Sequence, residues 1–101
     1  MILEIANLHI KRGECAAFEA AFAKAAPTIS SMHGYVSHQI KRCIEDDHHY
    51  VLLVNWHTLE DHTIGFRESA EYEQWRALLH HFYEPLPTVL HFAVLAHKKN
   101  N

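Results

Sequence analysis

The chain predicts an α+β fold, a four-stranded antiparallel sheet with its helices packed on one face. Three observations carry that expectation. Segments that alternate with period two and segments with helical spacing follow one another in the order β-α-β-β-α-β. The two middle strands are separated only by the charged run Glu45-Asp46-Asp47-His48, which makes them a hairpin. The third observation is size: 101 residues with 49% hydrophobic content make one domain, residues 1–101, without room for a second core.

Residues Met1 to Ile10 are rich in Ile and Leu and contain no Gly or Pro, so they read as a strand. Leu3, Ile5, Asn7 and His9 share one side of it, and Ile2, Glu4, Ala6 and Leu8 the other. After Gly13, the Ala-rich run Glu14 to Ala26 places Phe18, Phe22, Ala25 and Ile29 on one helical stripe, with Pro27 expected to end or kink the helix near Ala26. Tyr35 to Ile44 alternates as a strand with a fairly polar outer side, and His49 to Trp56 is the most β-prone segment of the chain. Thr58 can then cap a new helix, its hydroxyl taking a free backbone N–H of the turn holding Glu60 and Asp61. Leu59, His62 and Phe66 fall on one face of that helix. Gly65 and Ser69 mark a break, after which Tyr72, Trp75, Leu79 and Phe82 form a second stripe. Pro85 and Pro87 end helical structure, and Thr88 to Ala96 reads as the last strand, with His97 to Asn101 a polar, frayed tail.

This order most simply gives the ferredoxin-like arrangement, in which helices cover only one face of the sheet. The other face would expose too many apolar residues to water, so two sheets are expected to pack face to face across a two-fold axis, closing a barrel-like homodimer. A chain this small buries only roughly 60 to 65% of its unfolded surface, and dimerisation would add to its modest stability.

Composition excludes several classes. Nine basic and twelve acidic residues give a formal charge of −3, and the basic residues gather on no one predicted face, which argues against nucleic acid as a partner. The eleven histidines are unusual, yet no motif has metal-ligand spacing, and the adjacent His80 and His81 point apart on a helix. No metal is expected. Cys15 and Cys43 form no paired framework and read as reduced structural thiols. With no leader pattern at the N-terminus and no apolar run of about 18 residues, the expectation is a soluble, cytoplasmic protein without a membrane partner.

The segment W-H-T-L-E-D-H-T-I-G-F-R-E-S-A-E-Y-E-Q-W-R-A-L-L from Trp56, the closing P-T-V-L-H-F from Pro87 and the element order resemble the antibiotic biosynthesis monooxygenase family, within the dimeric α+β barrel superfamily. The resemblance covers Met1 to Leu95. It implies oxidation of a small or polycyclic phenol or quinol by dioxygen, with no flavin, metal or haem. The substrate phenolate is electron-rich enough to reduce O₂ by one electron, so the site needs only to favour deprotonation, hold the anion and exclude water. Relatives that degrade haem use a first-strand asparagine, a helix tryptophan and an axial histidine. Asn7 matches the first of these, whereas Phe66 and Arg76 stand at the other two places, and without the axial nitrogen the iron bond is lost. Other members carry a histidine near the end of the first of the two late helices; here Phe66 occupies about that place and His62 lies one turn earlier.

His62 is chosen as proton acceptor or hydrogen-bond donor to the phenolate because an ordinary imidazole pKa of about 6.5 suits proton transfer near neutrality. A satisfied core or cap histidine is its structural alternative. Asn7 is chosen to orient the substrate oxygen or O₂. Trp56, Phe66, Tyr72, Trp75 and Phe82 are packing residues of which some subset lines any cavity, and His38 and His91 are further polar candidates, on neighbouring strands in this reading. Three functions compete: a cofactor-independent monooxygenase, a non-enzymatic small-molecule-binding dimer using the same pocket, and a haem-binding or haem-degrading relative.

Overall fold

Strand β1 (Ile2–His9) is flanked on both sides, by β3 (His49–Trp56) and by β4 (Val89–Ala93), and β2 (Tyr35–Arg42) lies beyond β3. Every pairing is antiparallel, in the order β2-β3-β1-β4 of the ferredoxin-like fold. The structure, a computed structural model, describes residues 1–98, so the expected fraying of 99–101 lies outside the described residues. Register decides which side chains meet. Glu4 sits opposite Val54 on one side and His91 on the other, while Asn7 sits opposite Val51. Glu4, Ala6 and Leu8 therefore share the helix-covered face with Tyr50, Leu52, Val54 and Trp56, all of them buried.

Helix α1 (Cys15–Ser30) buries the expected stripe of Phe18, Phe22, Ala25 and Ile29. It does not stop near Ala26. Pro27 lies inside the helix and forfeits one backbone bond, but Ile29, two residues further on, is almost fully buried, and its packing holds the last turn in place. The Thr28 hydroxyl donates to the Ala25 carbonyl at 2.7 Å, and the Ser31 N–H donates to the Pro27 carbonyl at 3.2 Å, so the end of the helix keeps partners.

Both edge strands are shorter than the alternation predicts. β2 ends at Arg42 because the chain turns there: the Cys43 N–H reaches the His49 carbonyl at 2.7 Å, and the Asp46 side chain accepts from the His48 N–H at 3.0 Å. β4 ends at Ala93 because its register against β1 runs out at Ile2, leaving Val94 and Leu95 unpaired and exposed. Strand-like alternation continues past the point where a partner exists.

The connection after β3 fixes the site. Thr58 and Asp61 cap each other: the Asp61 N–H donates to the Thr58 hydroxyl at 3.2 Å, while the Asp61 carboxylate accepts from the Thr58 N–H at 3.2 Å and from its hydroxyl at 2.9 Å. Gly34, at φ +84°, lets Asp61 approach closely, for a Cβ there would collide with the Asp61 side chain. The chain then enters a π-helical turn (Asp61–Phe66) rather than an α-helix, with the Arg67 N–H donating back to the His62 carbonyl at 3.2 Å. Helix α2 (Ala70–Leu79) starts on Ser69, whose hydroxyl accepts from the Tyr72 N–H, and buries Trp75 and Leu79. A short 3₁₀ turn (His80–Phe82) leads to the Pro85–Pro87 crossing and β4. No helix among the described residues is long and apolar enough to cross a membrane.

Candidate functional site

An acidic residue in the middle of β1 faces the core. Glu4 is 5% exposed, and its Oε1 accepts the indole N–H of Trp56 at 2.9 Å. His62, 3% exposed, places Nε2 at 3.3 Å from the same oxygen. On its other side His62 Nδ1 lies 2.7 Å from His91 Nε2, within hydrogen-bond distance. Three elements thus bring together a carboxylate from β1, an imidazole from the π-helical turn and a second imidazole from the edge strand β4. Both nitrogens of His62 are occupied, and among the described residues no buried side-chain nitrogen or oxygen lacks a partner.

Burial sets the electrostatics. It raises the Glu4 pKa, against the opposing pull of the Trp56 hydrogen bond and the Arg67 charge. His62 is pushed down to about 3, first by burial and then by the neighbouring Arg67 and His91. His91 is lowered too, by burial and Arg67. At neutral pH both rings are neutral. The expectation that His62 keeps an ordinary imidazole pKa is therefore corrected: the ring is too dry and too close to a guanidinium to hold a proton of its own.

Aromatic rings enclose the chain of ionisable groups. Trp56 stacks on His62 with centroids 5.3 Å apart and planes 19° from parallel, and Phe66 lies 6.3 Å from His62 on its own turn. Tyr72 and Trp75 meet Phe66 edge-on at 5.2 and 5.8 Å. The cavity between sheet and helices, bounded by Glu4, His62, Arg67, Tyr72 and Tyr83 among others, has a volume of about 50 Å³. That is space for a water or two, against the roughly 300 Å³ or more of a usual ligand pocket. A wider opening of about 360 Å³ lies elsewhere, between α1 and β2, floored by Phe18, Phe22 and Ile40 and rimmed by Glu19, Arg42 and Tyr50.

The candidate residues from the sequence divide into separate places. His62, His91, Trp56, Phe66, Tyr72 and Trp75 come together around Glu4. Asn7 does not: it projects from the opposite, uncovered face, where its side-chain oxygen lies 2.9 Å from His49 Nε2. No chamber inside one protomer is reached by both Asn7 and His62, because the sheet itself stands between them. His38 and His91 are not on neighbouring strands but at opposite edges of the sheet, and His38 pairs instead with the Tyr35 hydroxyl at 2.6 Å and Phe22. Phe82 packs against Phe18, 5.9 Å away, on the far side of the core. Glu4 is not among the residues that the sequence singles out. Its trace there is an acidic residue on the strand side it shares with Ile2, Ala6 and Leu8.

The fold and the covered face define a class, and comparison with known proteins agrees with it. A model of the antibiotic biosynthesis monooxygenase family matches residues 1–78, and the chain belongs to this family. Over 92 residues, 91% of this chain and 97% of the other, it is 59% identical to the uncharacterised protein YczJ of Bacillus subtilis (strain 168). A crystal structure assigned as an antibiotic biosynthesis monooxygenase from Bordetella bronchiseptica superimposes with a TM-score of 0.89 at 34% identity, covering 94% of this chain and 97% of that one. SnoaB of Streptomyces nogalater, a cofactor-independent oxygenase, shares the fold with a TM-score of 0.69 at 21% identity, covering 97% of this chain and 94% of its own.

Proposed function

We propose that this chain is a cofactor-independent monooxygenase that oxidises a small or polycyclic phenol or quinol with dioxygen. The observation that carries the reading is His62, buried against aromatic rings and held between a carboxylate and a second histidine. Removing a phenolic proton is the protein's main task in such chemistry, and a dry chain of proton-accepting groups suits it. The family supports the same class of reaction. The cavity beside His62 is too small to hold an aromatic ring as it stands.

The alternative reading is a non-enzymatic dimer that binds a small molecule without turning it over. Haem asks for far more room, and Arg76 stands exposed on α2 where the haem-degrading relatives hold iron. Oxygen consumption with a panel of quinols and anthrones in metal-free buffer separates these readings. Stoichiometric O₂ uptake that drops at least about 100-fold in His62→Ala is expected. Binding of the same compounds with no uptake at all rejects the oxygenase.

We also infer that two copies pair through their uncovered sheet faces, where Leu3, Ile5, Val51 and Leu53 lie beside Leu90 and Phe92, the last two 56% and 49% exposed. Asn7 and His49 would then lie in the interface and not in the reactive site.

A further inference from the structure

Glu4 is the most deeply placed acid of the described chain and touches the only histidine among the described residues buried to the same degree. From the ordering of these groups we infer that Glu4, His62 and His91 form a proton relay, in which His91 takes the substrate's proton and Glu4 is where it ends. The inference deepens the oxygenase reading and, as a mechanism, rests on it.

The chemistry follows from tautomers. An ionised Glu4 accepts the Trp56 N–H and calls for a second donor, so His62 carries its hydrogen on Nε2 and leaves Nδ1 bare. His91 must then donate from Nε2, which leaves its Nδ1 as the one free lone pair of the relay, on the edge strand where a ligand can reach it. When a phenol O–H gives its proton to His91 Nδ1, the Nε2 proton of His91 passes to His62 Nδ1. The Nε2 proton of His62 passes in turn to the Glu4 carboxylate. One O–H bond breaks in the substrate and one forms on Glu4; both rings finish neutral with their tautomers exchanged, and no electron moves until the phenolate meets O₂. His62 serves as a conduit and never has to be an imidazolium. That suits a ring whose pKa lies near 3, and burial that raises the Glu4 pKa narrows the gap between donor and final acceptor.

Arg67 completes the arrangement. It is close enough to Glu4, His62 and His91 to influence all three, and it borders the same small cavity. Its charge, felt by all three groups, favours the phenolate that deprotonation creates. Tyr83 feels the charge of Glu4, and burial first, then Tyr72 and Glu4, raise its pKa so that it stays protonated throughout.

Two measurements test the relay. Long-range ¹H–¹⁵N correlation of histidine-labelled protein at pH 7 reports the tautomers directly: the expected result is hydrogen on Nε2 of both His62 and His91, and hydrogen on Nδ1 of His62, or an imidazolium there, overturns the proposal. It needs no variant and stands even if no substrate is oxidised, so it fails or succeeds independently of the oxygenase reading. The second measurement compares Glu4→Gln with the parent, substrate by substrate, in O₂ uptake. With quinols of pKa near 10 the variant should lose about 100-fold, and with halogenated quinols already ionised at the assay pH no more than a few-fold. An equal loss across the series makes Glu4 a structural group only and overturns the relay.

Discussion

The two faces of the sheet invert the usual link between polarity and exposure. On the covered face Glu4 and His62 are buried at 5% and 3% exposure, whereas on the uncovered face the apolar side chains of Leu90 and Phe92 stand half in water. Each departure has a different meaning. A buried acid and imidazole cost stability unless paired, and here they are paired with each other, with Trp56 and with His91, which is why the proposed chemistry is placed on the covered face. An apolar sheet face left bare is the surface on which the proposed pairing with a second copy rests.

The largest effect that would break this division is on packing. Trp56→Ala empties a fully buried site on the covered face and should cost about 4 kcal/mol in urea unfolding. Phe92→Ala, on the other face, should cost less than about 1 kcal/mol at concentrations where the chain is monomeric. Comparable losses in both would mean that the faces are not distinct. Next comes association. Leu53→Glu puts a charge at the centre of the uncovered face and should weaken the dimer about 100-fold by sedimentation equilibrium, with the fold kept by circular dichroism; an unchanged dimer places the interface elsewhere.

The pH dependence of stability is expected to be of similar size. The His62 pKa falls from 6.5 to about 3 on folding, so between those values the unfolded state binds more protons, and stability drops as pH falls through that window. Between pH 6.5 and 4 the loss is at most about 3 kcal/mol. Glu4, whose pKa is raised, acts in the opposite sense: its folded form holds a proton longer, so it costs stability as pH rises through its folded value. Comparing the parent with His62→Leu isolates the histidine, and the variant should lose less stability on acidification; an equal acid loss in both would show that His62 takes up its proton freely when folded. The smallest effect concerns the entry to the site. Thr58→Ala removes one half of the reciprocal cap with Asp61 and should cost about 1 kcal/mol, read as a Tm shift of several degrees.

Much of the fold was legible because alternation and helical stripes report burial directly. The β3 strand, the Phe18–Phe22–Ala25–Ile29 stripe and the Thr58 cap are where the residues predict them. Pro27 does not end α1 because Ile29, the last member of that stripe, is buried and holds the final turn against the core. The site was less legible, for a reason visible in β1. Its two sides, Ile2-Glu4-Ala6-Leu8 and Leu3-Ile5-Asn7-His9, are about equally apolar, so the pattern cannot tell which one the helices cover. That parity alone places Glu4 with His62 and sends Asn7 to the other face. The meeting of Glu4 with His91 depends further on the register of β1 against β4, which no local pattern contains.

The claim that the covered face is the reactive one can be tested most directly by titrating a hydroquinone into ¹⁵N-labelled protein under argon. Trp56 and Trp75 are the only tryptophans, and the Trp56 indole N–H is bound to Glu4, so its resonance reports on the site. That resonance is expected to shift together with the ring signals of His62 and His91 while those of Asn7 and Leu53 stay in place. Shifts confined to the uncovered face, or to Phe18, Ile40 and Arg42 beside α1, would contradict the claim.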